Sequence, residues 1–183
     1  MGYEIALNKA WDELLALSPG KNQEVKFLAD TYSVDLAQKN VLSLACNVAA
    51  KDFTTILILH YLAHKIKGFP QPTGEWLPFR KLSGIEGYYS AFRARSIEPI
   101  IRKYGTNPTS LLKVLERLPA KEAKHGDVAV VLETFPEIPV LISLWRADEE
   151  FAPEANVFFD KTVTQIFCIE DIVVLAGIVA AAI

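Results

Sequence analysis

The chain has little of what usually announces chemistry. Its 183 residues include two cysteines, three histidines and one methionine. Cys46 and Cys168 lie far apart with no CxxC spacing and cannot supply the four ligands of a zinc or iron–sulfur site, so two buried, reduced thiols are expected. There is no GxSxG, P-loop, GxGxxG or HExxH, and nothing places a Ser or Cys nucleophile beside a histidine, so catalysis has no sequence signature and no cofactor is named. A basic excess is also missing. Nineteen Lys and Arg against 22 Asp and Glu give a net charge of -3, which argues against a general nucleic-acid binder. The N-terminal stretch MGYEIALNKAWDELL carries acidic residues and no apolar signal core, and the uncharged run Ile172–Ile183 is short of the roughly 18 residues a membrane span needs. No repeat or low-complexity segment is present. These absences leave a soluble, cytoplasmic protein, and 51% hydrophobic content suits one globular domain over residues 1–183.

Three features stand out against that background. Ile56, Leu57, Ile58, Leu59, Leu62 and Ile66 leave almost no polar side to a helix running from Phe53 to about Ile66, with Asp52 as N-cap and Gly68 as terminator, so this helix is expected to be central and buried. A stretch from Lys67 to Gly84 then carries Gly68, Pro70, Pro72, Gly74, Pro78 and Gly84, which no helical or strand period survives. Its Phe69, Trp76, Leu77 and Phe79 mark it as an ordered loop pinned to the core. The apolar run Ile172–Ile183 predicts a C-terminal helix covered by something. A buried position fits, and so does an oligomer seam at Ala176, Gly177, Ala180 and Ala181.

The remaining elements follow from period and punctuation. Tyr3–Leu17 reads as an amphipathic helix with Ile5, Ala6, Ala10, Leu14 and Leu17 facing inward. Val25–Ala29, Ser33–Leu36 and Asn40–Cys46 read as an antiparallel meander. Ser83 and Glu86 have capping-box spacing for a helix from Ile85 to about Ser96, which Pro99 should break or kink. Asn107–Pro108 opens a helix to about Leu118, and Pro119–Asp127 reads as loop. Val128–Glu133 and Val140–Trp145 are strands around the FPEIP turn, with Asn156–Phe159 a third. The fold class expected is α+β, a mostly antiparallel sheet packed against the buried central helix and the C-terminal apolar helix.

Two constellations suggest a site. Arg80, Arg93 and Arg95 form the densest positive charge, and forked guanidinium donors suit carboxylate or phosphate. With Glu75, Trp76, Tyr88, Tyr89, Phe92 and the loop-facing His60, they outline a pocket under residues 67–84 for a small anionic ligand or cofactor. Alternatively Arg93 and Arg95 are surface residues paired with Glu75, Glu86 or Glu98. His60 and His64 share a helix face, and with Glu75 they outline a metal site for an assisted hydrolase or transferase. The competing reading makes His60 a hydrogen-bonded core residue. Asp148, Glu149 and Glu150 are consecutive, and a solvated turn explains them better than convergent chemistry.

Thr73–Gly74–Glu75–Trp76 with Phe79, the His60–Tyr61–Leu62 run upstream and Trp145, Asp148, Glu149 and Phe151 downstream resemble the domain-of-unknown-function 3786 family over nearly the whole chain. That family has no established activity, and its members occur in anaerobic bacteria and archaea. Some are joined to an iron–sulfur domain like that of corrinoid proteins, so the resemblance implies an accessory role beside a corrinoid or redox enzyme. This chain carries no such cysteine cluster.

Overall fold

The computed structural model describes residues 3–20 and 22–183. Helix α1 (Glu4–Leu17) precedes a three-stranded antiparallel meander of β1 (Gln23–Phe27), β2 (Asp30–Asp35) and β3 (Asn40–Ser43). Helix α2 (Asp52–Lys67) follows, then β4 (Trp76–Pro78) and a continuous helical rod made of α3 (Tyr89–Phe92), a π-helical turn (Arg93–Ile97) and α4 (Glu98–Tyr104). A 3-10 stretch (Pro108–Glu116) leads to β5 (Ala120–Ala123), β6 (Val128–Phe135), β7 (Ile138–Trp145) and β8 (Glu154–Asp160), and the chain closes with α5 (Ile169–Ala182). The expected α+β class is what forms, with every strand pair antiparallel but in two sheets, β1-β2-β3 and β4-β8-β7-β6-β5.

The larger sheet owes its two faces to strand alternation. Val128, Val130, Leu132, Val140, Ile142, Val157 and Phe159 point into the main core beside the buried flanks of α2 and α5. On the opposite face Ala129, Val131, Leu141 and Phe158 build a smaller apolar cluster with Trp76 and Trp145. The two sheets are tied where β6 bulges, since Leu28 donates its N–H to Thr134 O at 2.7 Å and Phe27 stacks on Phe135 at 4.4 Å. α2 is as central as its composition required, buried from Thr55 to Leu59 and from Tyr61 to Ala63.

Several sequence expectations are corrected. Lys51, not Asp52, occupies the N-cap of α2, and Asp52 sits in the first turn where its charge favours the helix dipole. Ala10 and Leu14 are buried as expected, with Trp11 beside them, but Ile5, 83% exposed, and Ala6 face solvent rather than inward. The Ser83–Glu86 capping box does not form, since Gly84 and Gly87 adopt φ of +77° and +83° and delay the helix to Tyr89. Pro99 neither breaks nor ends the rod. The π turn just before it, with Glu98 N–H on Arg93 O, widens the helix where proline cannot donate. Residues 108–116 wind as 3-10 rather than α, and part of the supposed 119–127 loop is edge strand β5, its charged Lys121 and Glu122 facing solvent. Both cysteines are free but exposed, not buried.

Candidate functional site

The loop from Lys67 to Gly84 is held at five points. Phe69 packs on Tyr61 at 5.9 Å, and Gln71 donates to Glu137 at 3.0 Å. The central clamp is Asp160 at the end of β8. Its carboxylate accepts the Gly74 N–H at 2.6 Å, the Thr73 hydroxyl at 3.2 Å, and the Thr162 N–H and hydroxyl at 3.0 and 2.8 Å. Burial alone would raise this carboxyl's pKa, but these donors outweigh it and hold the group below its ordinary value. Beyond the clamp, Trp76–Pro78 pairs with Phe158–Asp160, and Phe79 turns inward to stack on Phe92 at 4.1 Å.

That path leaves a cleft of about 370 Å³ between the exit of β4, the rod and the start of β8. Phe79, Phe92, Ile97, Ile101 and Pro153 give it apolar walls, while Arg80, Arg93, Glu154 and Asn156 bring polar groups to it. The Arg80 guanidinium lies 4.1 Å from the centre of the Tyr89 ring, and among the described residues no carboxylate pairs with it. Arg93 Nε donates to Glu98 at 3.2 Å, both side chains being more than half exposed. Two guanidiniums, one unpaired and one in a weak pair, therefore border the same cleft.

The other sequence candidates sit elsewhere. Glu75 pairs with Lys161 on the surface and Trp76 joins the smaller apolar cluster, so neither lines the cleft. Tyr88 donates its hydroxyl to Glu170. Arg95 emerges from the far side of the rod, where its Cβ would lie 3.6 Å from a Cβ built on Gly177, and it borders an apolar groove with Tyr3, Phe53, Val174 and Ile178. Of the four small residues considered as an oligomer seam, Gly177 and Ala181 line that groove, whereas Ala176 and Ala180 are buried on the side of α5 that Ile172, Leu175 and Val179 also seal.

His60 is hydrogen-bonded, but it is partly exposed rather than core and its partner lies on α5, not in the loop. Its Nδ1 lies 2.8 Å from Asp171 Oδ2, joining α2 to the first turn of α5, and that hydrogen bond raises the imidazole pKa against the opposing effect of burial. His64 is shifted the other way by burial and by Lys67. With His60 engaged by Asp171 and Glu75 by Lys161, the grouping of His60, His64 and Glu75 is not assembled. No three His, Cys, Asp or Glu side chains converge for a metal among the described residues. Asp148 closes a turn by accepting the N–H groups of Glu150 and Phe151 at 2.9 and 2.7 Å.

Spacing gave no hint of the pair formed by His125 Nδ1 and Ser143 Oγ at 3.0 Å. Ser143 is fully buried and donates to His125 O at 2.8 Å, and the imidazole packs edge-on against Phe158, so the pair fastens the β5–β6 connection to the sheet. Residues 152–156 of the cleft were also missed, because their place depends on β8 lying beside β4.

A family model described as a domain of unknown function, DUF3786, matches residues 8–182. No curated protein and no solved structure matches the chain. No helix among the described residues is long and apolar enough to cross a membrane.

Proposed function

The chain belongs to the DUF3786 family, and for it we propose a binding function: the cleft between β4, β8 and the rod takes a small anionic ligand through Arg80 and Arg93. The observation that carries this reading is Arg80, a guanidinium with no carboxylate partner among the described residues, laid on Tyr89 at the mouth of a cleft that Arg93 also borders. Contact with the ring holds the guanidinium at the cleft, and its forked N–H donors, with no carboxylate partner among the described residues, suit a two-oxygen acceptor. The cleft is within the size range of small-ligand sites, and its floor of Phe79, Phe92 and Ile97 offers an apolar wall to the rest of the ligand. The π turn that contributes Arg93 supports the same place, since such turns recur at functional sites.

The test is titration of the ¹⁵N-labelled protein with inorganic phosphate and with succinate. Saturable shifts at residues 79–80, 89–93 and 152–156 are expected, and the Arg80→Ala/Arg93→Ala variant should lose them while melting within a few degrees of the parent. Undiminished binding by that variant, or no saturable shift in the parent, overturns the proposal.

A further inference from the structure

The cleft runs along a strand edge. β8 is paired with β7 from Glu154 to Phe159, but with β4 only at Phe158–Asp160, because β4 ends at Pro78 and the chain turns away at Phe79. Glu154–Val157 therefore has a neighbouring strand on one side alone. Successive strand residues point to opposite faces, so a cleft lined by every residue from Ala152 to Asn156 follows the backbone edge rather than either face. Alternation of the ladder identifies the groups concerned. Lys161 N–H donates to Glu75 O across the β4 side at 3.0 Å, so counting back in twos, residues 159, 157 and 155 turn their backbone groups toward that edge. β4 meets Phe159, but it does not reach Val157 or Ala155. Asn156 Oδ1 bends back to accept the Val157 N–H at 3.0 Å, doing for that donor what a neighbouring strand's carbonyl would do.

We propose that an extended acidic peptide segment of a partner protein adds as a strand along Glu154–Val157, in line with β4, with an aspartate or glutamate side chain held by Arg80 and Arg93. The inference rests on the anion reading of the same cleft and names its ligand class. A strand edge asks for donors and acceptors at the peptide repeat, and strand addition supplies them. Four residues span about 14 Å, enough to run from the end of β4 to Glu154. The charge fits as well, since Arg80 and Arg93 stand where β4 departs and the added strand would begin.

The probes are acetylated, amidated pentapeptides of alternating valine and aspartate, their asparagine counterparts, and versions N-methylated at alternate backbone amides, each titrated into the ¹⁵N-labelled full chain. The aspartate peptides should shift Ala155 and Val157 amides and slow their hydrogen exchange, and phosphate should compete. The asparagine and N-methylated forms should each bind at least tenfold more weakly. Both changes are made in the ligand, so folding of the protein is not at stake. If phosphate binds but no aspartate peptide moves Ala155 or Val157, or N-methylation has no effect, strand addition is overturned and the anion reading stands. If neither phosphate nor peptide binds, both fall. Shifts at Ala155 that depend on protein concentration alone, with a dimer in sedimentation, would make a second copy the occupant and overturn the partner proposal.

Discussion

Gly74 gives its backbone N–H to the Asp160 carboxylate at 2.6 Å, and Asp160 is only 2% exposed. The tie fastens the sequence-distinctive Thr73–Gly74–Glu75–Trp76 run to the end of β8, and with it the start of β4 and the approach to Arg80. Replacing Asp160 by alanine leaves the Thr162 and Gly74 donors without an acceptor in a buried place, a loss of roughly 3 kcal/mol. Because the folded carboxyl titrates below its ordinary value, its contribution is present above the unfolded carboxylate pKa and disappears as pH falls through the lower folded one. Thermal melts of the parent and Asp160→Asn between pH 7 and pH 3 check this. The variant should be less stable at pH 7 and should lose less on acidification, and parallel curves would contradict the assignment.

The tether between α2 and α5 has the opposite sign. His60 is raised chiefly by its hydrogen bond to Asp171, with Glu13 on α1 adding to it and burial and Lys9 opposing. Its stabilisation is therefore complete below the unfolded imidazole pKa and is lost as pH rises through the higher folded value. Asp171→Asn should bring the His60 titration in NMR back down and remove that fall in stability. His64, shifted downward on the same helix, resists protonation and should titrate below His60. Reversal of the two midpoints would refute the description.

Cys168 is exposed yet should be a poor nucleophile. Partial burial of the thiol, together with the charge of Asp171, pushes its pKa up to about 12, so almost none is thiolate at pH 8. Alkylation of the folded chain at pH 8, followed by peptide mapping, should modify Cys168 at least tenfold more slowly than free cysteine, with equality restored in denaturant. Fast labelling in the folded state would mean that the thiol is not held as described.

Glu98 competes with any anion for Arg93, and the competition is weak because both side chains are largely solvated. Glu98→Gln should tighten phosphate binding about two- to fivefold, the worth of an exposed ion pair, without changing the melting temperature by more than a degree or two. Weaker binding in this variant would indicate that Glu98 positions Arg93 rather than occupying it.

What could be read from the sequence follows the length of each signal. α2, α5 and the β6–β7 hairpin announce themselves in long apolar runs, because burial on nearly all sides leaves no polar positions to blur them. β4 and β5 could not be read that way. One is three residues ending in proline, the other a charged edge, and each exists because a longer neighbour offers it a ladder. The arginines were visible as charge density, but only the strand order β4-β8 sets Arg80 and Arg93 opposite Pro153–Asn156 while sending Arg95 and Tyr88 elsewhere. The metal grouping failed for the same reason, since i, i+4 spacing aligned two histidines but could not show that Asp171, 111 residues on, already held one of them.

The π turn and Pro99 should prove energetically coupled. Phe92, Ile97, Ile100 and Tyr104 are all buried, so both halves of the rod are fixed on the core and the wide turn takes up one extra residue between them. Ala94 is exposed within that turn and can be removed without opening a cavity. Its deletion closes the turn to α-helix and puts Pro99 in a helix interior, where the missing donor and the ring's clash with the Arg95 carbonyl cost about 3 kcal/mol. Making Pro99→Ala in the same chain removes that clash and restores a donor. The deletion should therefore be costly alone and nearly neutral beside Pro99→Ala, a coupling of roughly 2–3 kcal/mol in a double-mutant cycle read from denaturant melts. Equal costs in both backgrounds would mean that the wide turn exists for packing alone and owes nothing to the proline.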